Sequence, residues 1–302
     1  MGYSKDDWKR WRSELLPELQ SALGPVPSDR TVPYMKTVDS IEFPDYVLHK
    51  IEYESRLGEP VPAFLLIPNE IQGPVPAVIC PHGHVSGGKD SVVLSNEHGA
   101  PYGAKLAEMG FVTLCPDNAG MGERGDDGGC ELLWSRLNYL GLDVTGYRVF
   151  DLIRGTDLLC SLPEVNETRI GTVGFSLGCW LAMVHAALDE RIRACVLSGR
   201  FTTFAQTLWY GRCICQHVTG IGELCEMPDI IGLIAPRPVC AEWGTEDVER
   251  PVYPAYQMTR RIYEAAGATD QIDLKLFNGN HRFDGEQSLH WLAEKLTGEA
   301  ND

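Results

Sequence analysis

The feature that most restricts the fold of this chain is the alternation, from residue 75 onward, of short apolar runs with helical patterns. The run VPAVIC (75–80) is continuously apolar and leads into a glycine-containing turn, as expected of a strand buried on both faces of a parallel sheet. Because strands that alternate with helices form parallel sheets covered on both faces, the sequence predicts an α/β fold. The helical pattern after residue 176 repeats its apolar residues at helical spacing, namely Trp180, Met183, Val184, Ala187 and Leu188.

The predicted sheet is mostly parallel and has eight strands, with helices on both faces. Two strands, VLHKIEYES (47–55) and VPAFLLIP (61–68), flank Leu57-Gly58 and are expected to form an antiparallel pair. The other six are VPAVICPHGH, FVTLCP, RIGTVGFS, RACVLSG, RPVCAEWG and IDLKLFNG.

No repeat or long linker divides the 302 residues, so one domain over residues 1–302 is predicted. Residues 1–30 are expected to be a helical extension, with an amphipathic pattern over residues 6–23. Pro17 lies inside that pattern and is expected to kink the helix or split it in two.

Charge and cysteine content restrict the partners and the compartment. A formal net charge of −16 disfavours nucleic acid and anionic membranes as partners. The charged start MGYSKDDWKRWRSELL does not fit a signal peptide, and no apolar run reaches membrane-spanning length. Several of the ten cysteines lie inside apolar runs, where they are expected to be buried thiols, so a cytoplasmic, reducing location is predicted. These are Cys80, Cys115, Cys195 and Cys240.

A G-x-S-x-G pattern, Gly174-Phe175-Ser176-Leu177-Gly178, lies where a predicted strand meets a predicted helix. Side chains two residues before or after the serine would collide across so sharp a turn, which explains the glycines. Ser176 is therefore the predicted nucleophile. Leu177 begins the helix, so its backbone N–H is a predicted oxyanion donor.

A base and an acid follow Ser176 in the order that this architecture requires. Gly244-Thr245-Glu246-Asp247 follows one strand, and His281 follows the last one. Both lie at the sheet edge where open α/β sheets place their sites. His281 is the predicted base and Asp247 the preferred acid, while Glu246 and Glu249 remain alternatives for the acid.

The turn Pro81-His82-Gly83-His84 can direct a second backbone N–H toward the nucleophile, and we assign this oxyanion donor to His84. The imidazoles of His82 and His84 are expected to be structural or to line the pocket.

Residues 199–230 could form a small cap. Because ligand sites are largely apolar, Phe201, Trp209 and Trp180 are expected to contribute to the pocket wall.

These motifs together resemble the α/β-hydrolase superfamily, and within it the dienelactone-hydrolase-like and acetylxylan-esterase-like proteins. The resemblance runs from about residue 45 to 297 and implies a triad of Ser176, Asp247 and His281 without a cofactor. Two departures stand out, because dienelactone hydrolase proper uses a cysteine where Ser176 stands, and the acetylxylan deacetylases carry Gln and Glu where this chain has Leu177 and Arg282. The residues that carry the resemblance are PHGH, GFSLG, DERIRACVLSG, IAPRPVCAEWGTED and GNHRF.

The loop DNAGMGERG (117–125) contains G-x-G-x-x-G, a pattern also found in dinucleotide-binding proteins. Here Asp126-Asp127-Gly128-Gly129 follows, which breaks a helix and places negative charge where a pyrophosphate would bind. No nucleotide cofactor is therefore expected. The resemblance implies instead that this glycine-rich loop flanks the active site, and an ion pair between Asp117 and Arg124 is expected to hold it.

Cys213-Ile214-Cys215, with His217 and Cys225 nearby in sequence, raises the question of a metal. Two cysteines one residue apart do not have the C-x₂₋₄-C spacing of a zinc site. These cysteines are therefore expected to pack in the protein interior, and no metal is predicted.

The function these features favour is a serine carboxylic-ester hydrolase that acts through an acyl-enzyme, with a small-molecule ester of short acyl or acetyl type as substrate. Two alternatives stay open: a C–C bond or amide/peptide hydrolase with the same triad, and a non-catalytic ligand-binding protein. A homo-oligomer is also left open, with the Trp-bearing N-terminal segment as its candidate contact surface.

Overall fold

The computed structural model describes residues 4–25, 31–97, 99–125, 128–210, 213–247 and 251–298, with the backbone alone for 208–210. Within these ranges nine strands form one sheet in the order β1-β2-β3-β5-β4-β6-β7-β8-β9. The strands are β1 Met35–Glu42, β2 Tyr46–Arg56, β3 Glu59–Pro68, β4 Val75–Ile79, β5 Val112–Pro116, β6 Val165–Phe175, β7 Ile192–Ser198, β8 Val239–Gly244 and β9 Ile272–Phe277.

The strands from β4 to β9 are parallel, whereas β1, β2 and β3 add to one side of the sheet as antiparallel neighbours. The sheet has one strand more than the eight predicted, because β1 was missed. Seven of its eight residues are exposed, and Val38 and Ile41 lie with the polar residues in solvent. Such a strand has no alternation of apolar and polar residues and is held by its backbone pairing to β2.

Helices cover both faces of the sheet, as predicted. Apolar residues of α1, α4, α5, α8 and α9 pack on one face, and those of α2 and α10 pack on the other. The carboxyl ends of the parallel strands therefore meet at one edge. The helices are α1 Lys5–Leu23, α2 Tyr102–Glu108, α3 Gly129–Tyr139, α4 Val144–Ser161, α5 Leu177–Leu188, α6 Phe204–Tyr210, α7 Ile221–Leu224, α8 Met227–Gly232, α9 Tyr253–Ala266 and α10 Ser288–Thr297.

The N-terminal helix α1 continues through Pro17, so of the two expected outcomes, a kink or a split, the split does not occur. It begins with a capping box between Ser4 and Asp7, and its Leu15, Leu19 and Leu23 are buried in the core. Burial of this apolar stripe offsets the hydrogen bond that proline cannot make.

All ten cysteines are free thiols, and the four that were expected to be buried lie in the core. Among the described residues, no helix combines the length and the apolar character that crossing a bilayer requires.

Candidate active site

The turn between β6 and α5 holds Ser176 in a strained backbone conformation, with φ 55° and ψ −111°. Among the described residues it is the one non-glycine residue with a positive φ. Its N–H donates to the carbonyl of Ser198 at 2.9 Å, which ties the turn to the end of β7. Strain of this kind costs on the order of 1–3 kcal/mol and is typical of functional sites.

The two glycines of the turn are required by close backbone contacts. A Cβ atom on Gly174 would lie 2.1 Å from the carbonyl oxygen of Gly178, and one on Gly178 would lie 2.1 Å from that of Pro81. The steric explanation of the G-x-S-x-G pattern is thereby confirmed. The contact with Pro81 also shows that the loop after β4 runs against the start of α5.

Ser176, His281 and Asp247 lie together at the carboxyl edge of the sheet. His281 Nε2 lies 3.2 Å from Ser176 Oγ, and His281 Nδ1 lies 2.8 Å from Asp247 Oδ2. In the tautomer that fits, Nδ1–H donates to the carboxylate and Nε2 accepts from the hydroxyl. This is the arrangement of nucleophile, base and orienting acid in serine hydrolases.

The loops after β8 and β9 are held together by a close backbone approach. A Cβ atom on Gly244 would lie 2.4 Å from the carbonyl oxygen of Gly279, and the N–H of Glu246 donates to the same oxygen at 2.9 Å. The Asp247 side chain turns inward and is 7% exposed, whereas Glu246 is exposed. Glu249, the other alternative for the acid, lies outside the described residues.

Two residues that sequence reasoning missed pack against the His281 imidazole. The Phe175 ring lies 4.7 Å from it between centroids. Gly199 has φ 72°, and a Cβ atom there would lie 3.0 Å from His281 Cε1. A larger residue at position 199 would therefore displace the imidazole.

A third residue that sequence reasoning missed is Glu242 on β8, whose side chain binds several segments at this edge of the sheet. Its buried carboxylate accepts hydrogen bonds from Ser198 Oγ at 2.9 Å, Ser288 Oγ at 2.5 Å and the Gly285 N–H at 2.8 Å. Burial raises the pKa of this carboxyl above its ordinary range, against the opposing effect of these hydrogen bonds. A single charged residue in an otherwise apolar strand was the available signal.

The loop after β4 is built on His82, whose side chain is fully buried. Its Nδ1–H donates to the Gly83 carbonyl at 2.7 Å, and its Nε2 accepts the Asn118 N–H at 3.0 Å. Burial lowers the pKa of His82 to about 4, so the imidazole is neutral and structural.

The two predicted oxyanion donors lie on segments that contact each other near Pro81 and Gly178. Leu177 is the first residue of α5, where backbone N–H groups have no partner within the helix. His84 follows on the loop that contacts this helix end, with an exposed side chain. Its role as the second donor stays a prediction.

The space inside the glycine-rich loop after β5 is occupied by the carboxylate of Asp117, a residue of the same loop. Asp117 is buried and pairs with Lys89 Nζ at 2.7 Å, and a Cβ atom on Gly88 or Gly122 would lie 2.1 or 2.0 Å from Asp117 Oδ1. Although burial disfavours the ammonium, hydrogen bonds to Asp117 and Glu123 raise the pKa of Lys89 above its ordinary range. The glycines therefore make room for Asp117.

The predicted ion pair between Asp117 and Arg124 is wrong. Arg124 Nη1 donates to the backbone carbonyl of Asp117 at 3.2 Å and forms its ion pair with Asp151 of α4 at 2.6 Å. Lys89 already pairs with the Asp117 carboxylate, which points inward. Asp126 and Asp127 lie outside the described residues.

Two of the predicted pocket residues lie in the core instead of on an open wall. Phe201 is 0% exposed and Trp180 is 1% exposed, with Trp180 Nε1 donating to Thr145 Oγ1 at 3.0 Å. Both rings belong to the hydrophobic core, and sequence alone does not distinguish a core position from a pocket wall. The side chain of Trp209 lies outside the described residues.

A surface depression of about 680 Å³ adjoins His281, whose side chain is 30% exposed. Its lining includes the polar residues Asn96, Glu97, Lys105, Asn280 and Arg282. A ligand in this depression would meet mainly hydrogen-bonding groups.

A largely parallel sheet that carries serine, acid and histidine, in that chain order, at its carboxyl edge defines an α/β-hydrolase. The strained serine at a strand-to-helix turn is the distinguishing feature of this class. Within it, the chain belongs to the Abhydrolase family, whose model matches residues 1–298.

Similar proteins include one from Bacillus subtilis (strain 168) named "Putative hydrolase YtaP", which is 26% identical over 276 residues, covering 86% of this chain and 90% of that protein. A solved structure from Bacteroides fragilis NCTC 9343, described as a "putative acetyl xylan esterase", has a TM-score of 0.76 and 20% identity over 98% of this chain and 85% of its own. A glucuronoyl esterase from Solibacter usitatus has a TM-score of 0.71 and 12% identity over 94% of this chain and 92% of its own. The two structures share the fold of this chain.

Proposed function

We propose that this protein is a serine carboxylic-ester hydrolase that acts on small-molecule esters with short acyl groups. The observation that carries the proposal is the position of His281 between Ser176 Oγ, at 3.2 Å, and Asp247 Oδ2, at 2.8 Å. Similar proteins described as acetyl xylan and glucuronoyl esterases support an ester as the substrate.

In the proposed first step, Ser176 Oγ attacks the ester carbonyl carbon while His281 Nε2 takes the hydroxyl proton. The imidazolium then gives this proton to the departing alcohol, which leaves an acyl group on Ser176. Water, deprotonated by the same histidine, attacks the acyl-enzyme and releases the acid. Asp247 holds the imidazole in the tautomer that both steps need.

The depression beside His281 is lined mainly by polar side chains, which supports a hydrophilic alcohol as the leaving group. A cytoplasmic location is part of the proposal, and the ten free thiols support it.

The test is turnover of p-nitrophenyl acetate by the wild type and by Ser176→Ala. Loss of the nucleophile is expected to lower kcat by ~10⁶-fold, while Ser161→Ala, an exposed serine at the end of α4, serves as the matched control and stays at wild-type activity. More than about a tenth of wild-type activity in Ser176→Ala would refute the nucleophile. A fluorophosphonate probe should label the wild type and not Ser176→Ala, and a folded wild type that resists labelling would favour a ligand-binding protein.

A panel of matched esters, amides and β-diketones separates the proposed reaction from its alternatives. Esters with acetyl or propionyl groups are expected to react fastest. A preference for the amide or the β-diketone would assign the triad to peptide or C–C bond hydrolysis instead.

A further inference from the structure

Three thiols and one imidazole from separate segments meet beside the candidate active site. The ligand atoms of His84, Cys130, Cys213 and Cys215 all lie within 4.8 Å of one another. His84 lies on the loop after β4, Cys130 in the first turn of α3, and the other two in the turn at 213–216. We propose that these four residues bind one Zn²⁺ ion.

The spacing of the four donors is close to that of a zinc site. At Zn–S distances of about 2.3 Å, the donors of a tetrahedral site lie about 3.7 Å apart, so the cluster needs side-chain shifts of about 1 Å. His84 Nε2 and Cys130 Sγ are already 3.2 Å apart. Three cysteines and a histidine form a typical structural zinc set, and four protein donors leave no open position for a reactive water.

The deepest ligand is held in place by a buried arginine. Arg148 is 1% exposed and donates to the Ala119 carbonyl at 2.7 Å and to the Cys215 carbonyl at 3.2 Å. Cys215 is buried, Cys130 and Cys213 are half-buried, and His84 is exposed. The site is thus fixed at its base and open to an entering ion on the His84 side.

The C-x-C spacing of Cys213 and Cys215 argued against zinc when taken alone. The structure completes the donor set with residues distant in sequence, whereas the sequence neighbours His217 and Cys225 do not belong to the cluster. A bound ion would join the loop that carries the predicted oxyanion donor to α3 and to the predicted cap segment. Its role would be to hold these three segments together.

The first experiment uses the full chain, reduced and freed of metal with a chelator, and titrates it with Zn²⁺ by calorimetry. We expect one ion per chain and a midpoint of thermal unfolding that rises with Zn²⁺ concentration. Co²⁺ used as a probe should give the visible bands of a tetrahedral site together with thiolate charge-transfer absorption. A reduced wild type that binds no stoichiometric Zn²⁺ would overturn the proposal.

The second experiment locates the ion with single substitutions. Cys130→Ser and His84→Gln are expected to weaken Zn²⁺ binding by ~100-fold or more, while the matched controls Cys225→Ser and His217→Gln bind as the wild type does. Unchanged affinity in Cys130→Ser would place the ion elsewhere. If the reduced protein does not bind Zn²⁺ and a disulfide forms within the cluster in air, the proposal is overturned. The cluster is then a redox site instead.

Discussion

Two glycine-rich turns lie at the same edge of the sheet, and they use their glycines for different ends. In the turn at 174–178, glycines let backbone segments touch so that Ser176 stands at the tip. In the loop at 117–125, Gly122, together with Gly88 of the segment after β4, makes room for the carboxylate of Asp117, which pairs with Lys89 inside the protein. The turn at 174–178 exposes a side chain that can react, whereas the loop at 117–125 encloses a side chain that is already paired.

The difference shows that a glycine motif alone does not identify a ligand site. What decides is the group that occupies the space the glycines create. In the turn at 174–178 that group is the Ser176 hydroxyl, which lies within hydrogen-bond distance of His281. In the loop at 117–125 it is the buried Asp117 carboxylate, which already pairs with Lys89. Substitutions in the first turn should therefore change catalysis, and substitutions in the second should change stability.

The largest expected effect is on the acid that orients His281. Asp247→Asn should lower kcat by ~10⁴-fold, because the imidazole then populates the wrong tautomer. Glu246→Gln, the matched control on the same loop, should stay close to wild type because its side chain is exposed. Steady-state kinetics on p-nitrophenyl acetate decides this, and a crippled Glu246→Gln beside an active Asp247→Asn would reverse the assignment.

The second prediction tests the closed loop through its buried ion pair. Lys89→Met leaves the Asp117 carboxylate buried without its cation, which should lower the free energy of unfolding by about 3–5 kcal/mol. Lys9→Met, at a lysine whose side chain is 62% exposed, should change it little. Urea denaturation measures both variants, and a Lys89→Met protein as stable as the wild type would show that the pair does not hold the loop.

The third prediction concerns pH and the loop beside the nucleophile turn. The pKa of His82 is about 4 in the folded protein and about 6.5 when unfolded, so below pH 6.5 the unfolded state takes up a proton that the folded state does not. Stability should therefore fall by about 3 kcal/mol from this residue as the pH drops from 6.5 to 4. His82→Gln should be less stable at pH 7 and lose less stability over that interval, and an equal slope in both proteins would contradict the assignment.

The smallest expected effect compares one glycine from each turn. Gly178→Ala and Gly122→Ala each introduce a Cβ atom at about 2 Å from a neighbour, which should cost about 1–3 kcal/mol of stability. Gly178→Ala should also lower kcat, because the contact with Pro81 adjoins the reacting serine. Gly122→Ala should leave the kcat of the folded protein close to wild type, and equal losses of kcat would mean that the two turns are not functionally distinct.

Sequence was sufficient where the signal is local. The serine turn, the order of acid and histidine, and the strand ends that carry them all follow from short motifs and from the rule that parallel strands end at one edge. Helices on both faces followed from the alternation of patterns. These features need no knowledge of long-range contacts.

What sequence did not predict depends on tertiary placement. The pairing of Lys89 with Asp117 joins residues 28 positions apart, and the cluster of His84 with the three cysteines joins segments from 84 to 215. Strand β1 lacks an apolar face and so gave no pattern. The burial of Phe201 could not be told from a place on a pocket wall, because both environments are apolar.

The position of Glu242 has a consequence for protein engineering. Its carboxylate binds the end of β7 through Ser198 and the segment after His281 through Gly285 and Ser288. A loop exchange that imported a new histidine segment from another hydrolase would alter three of the four donors to this carboxylate, those on Asp284, Gly285 and Ser288, and leave a buried acid with poor solvation. Glu242, Ser198 and the segment from Asp284 to Ser288 should therefore be transplanted together, although they are far apart in the chain.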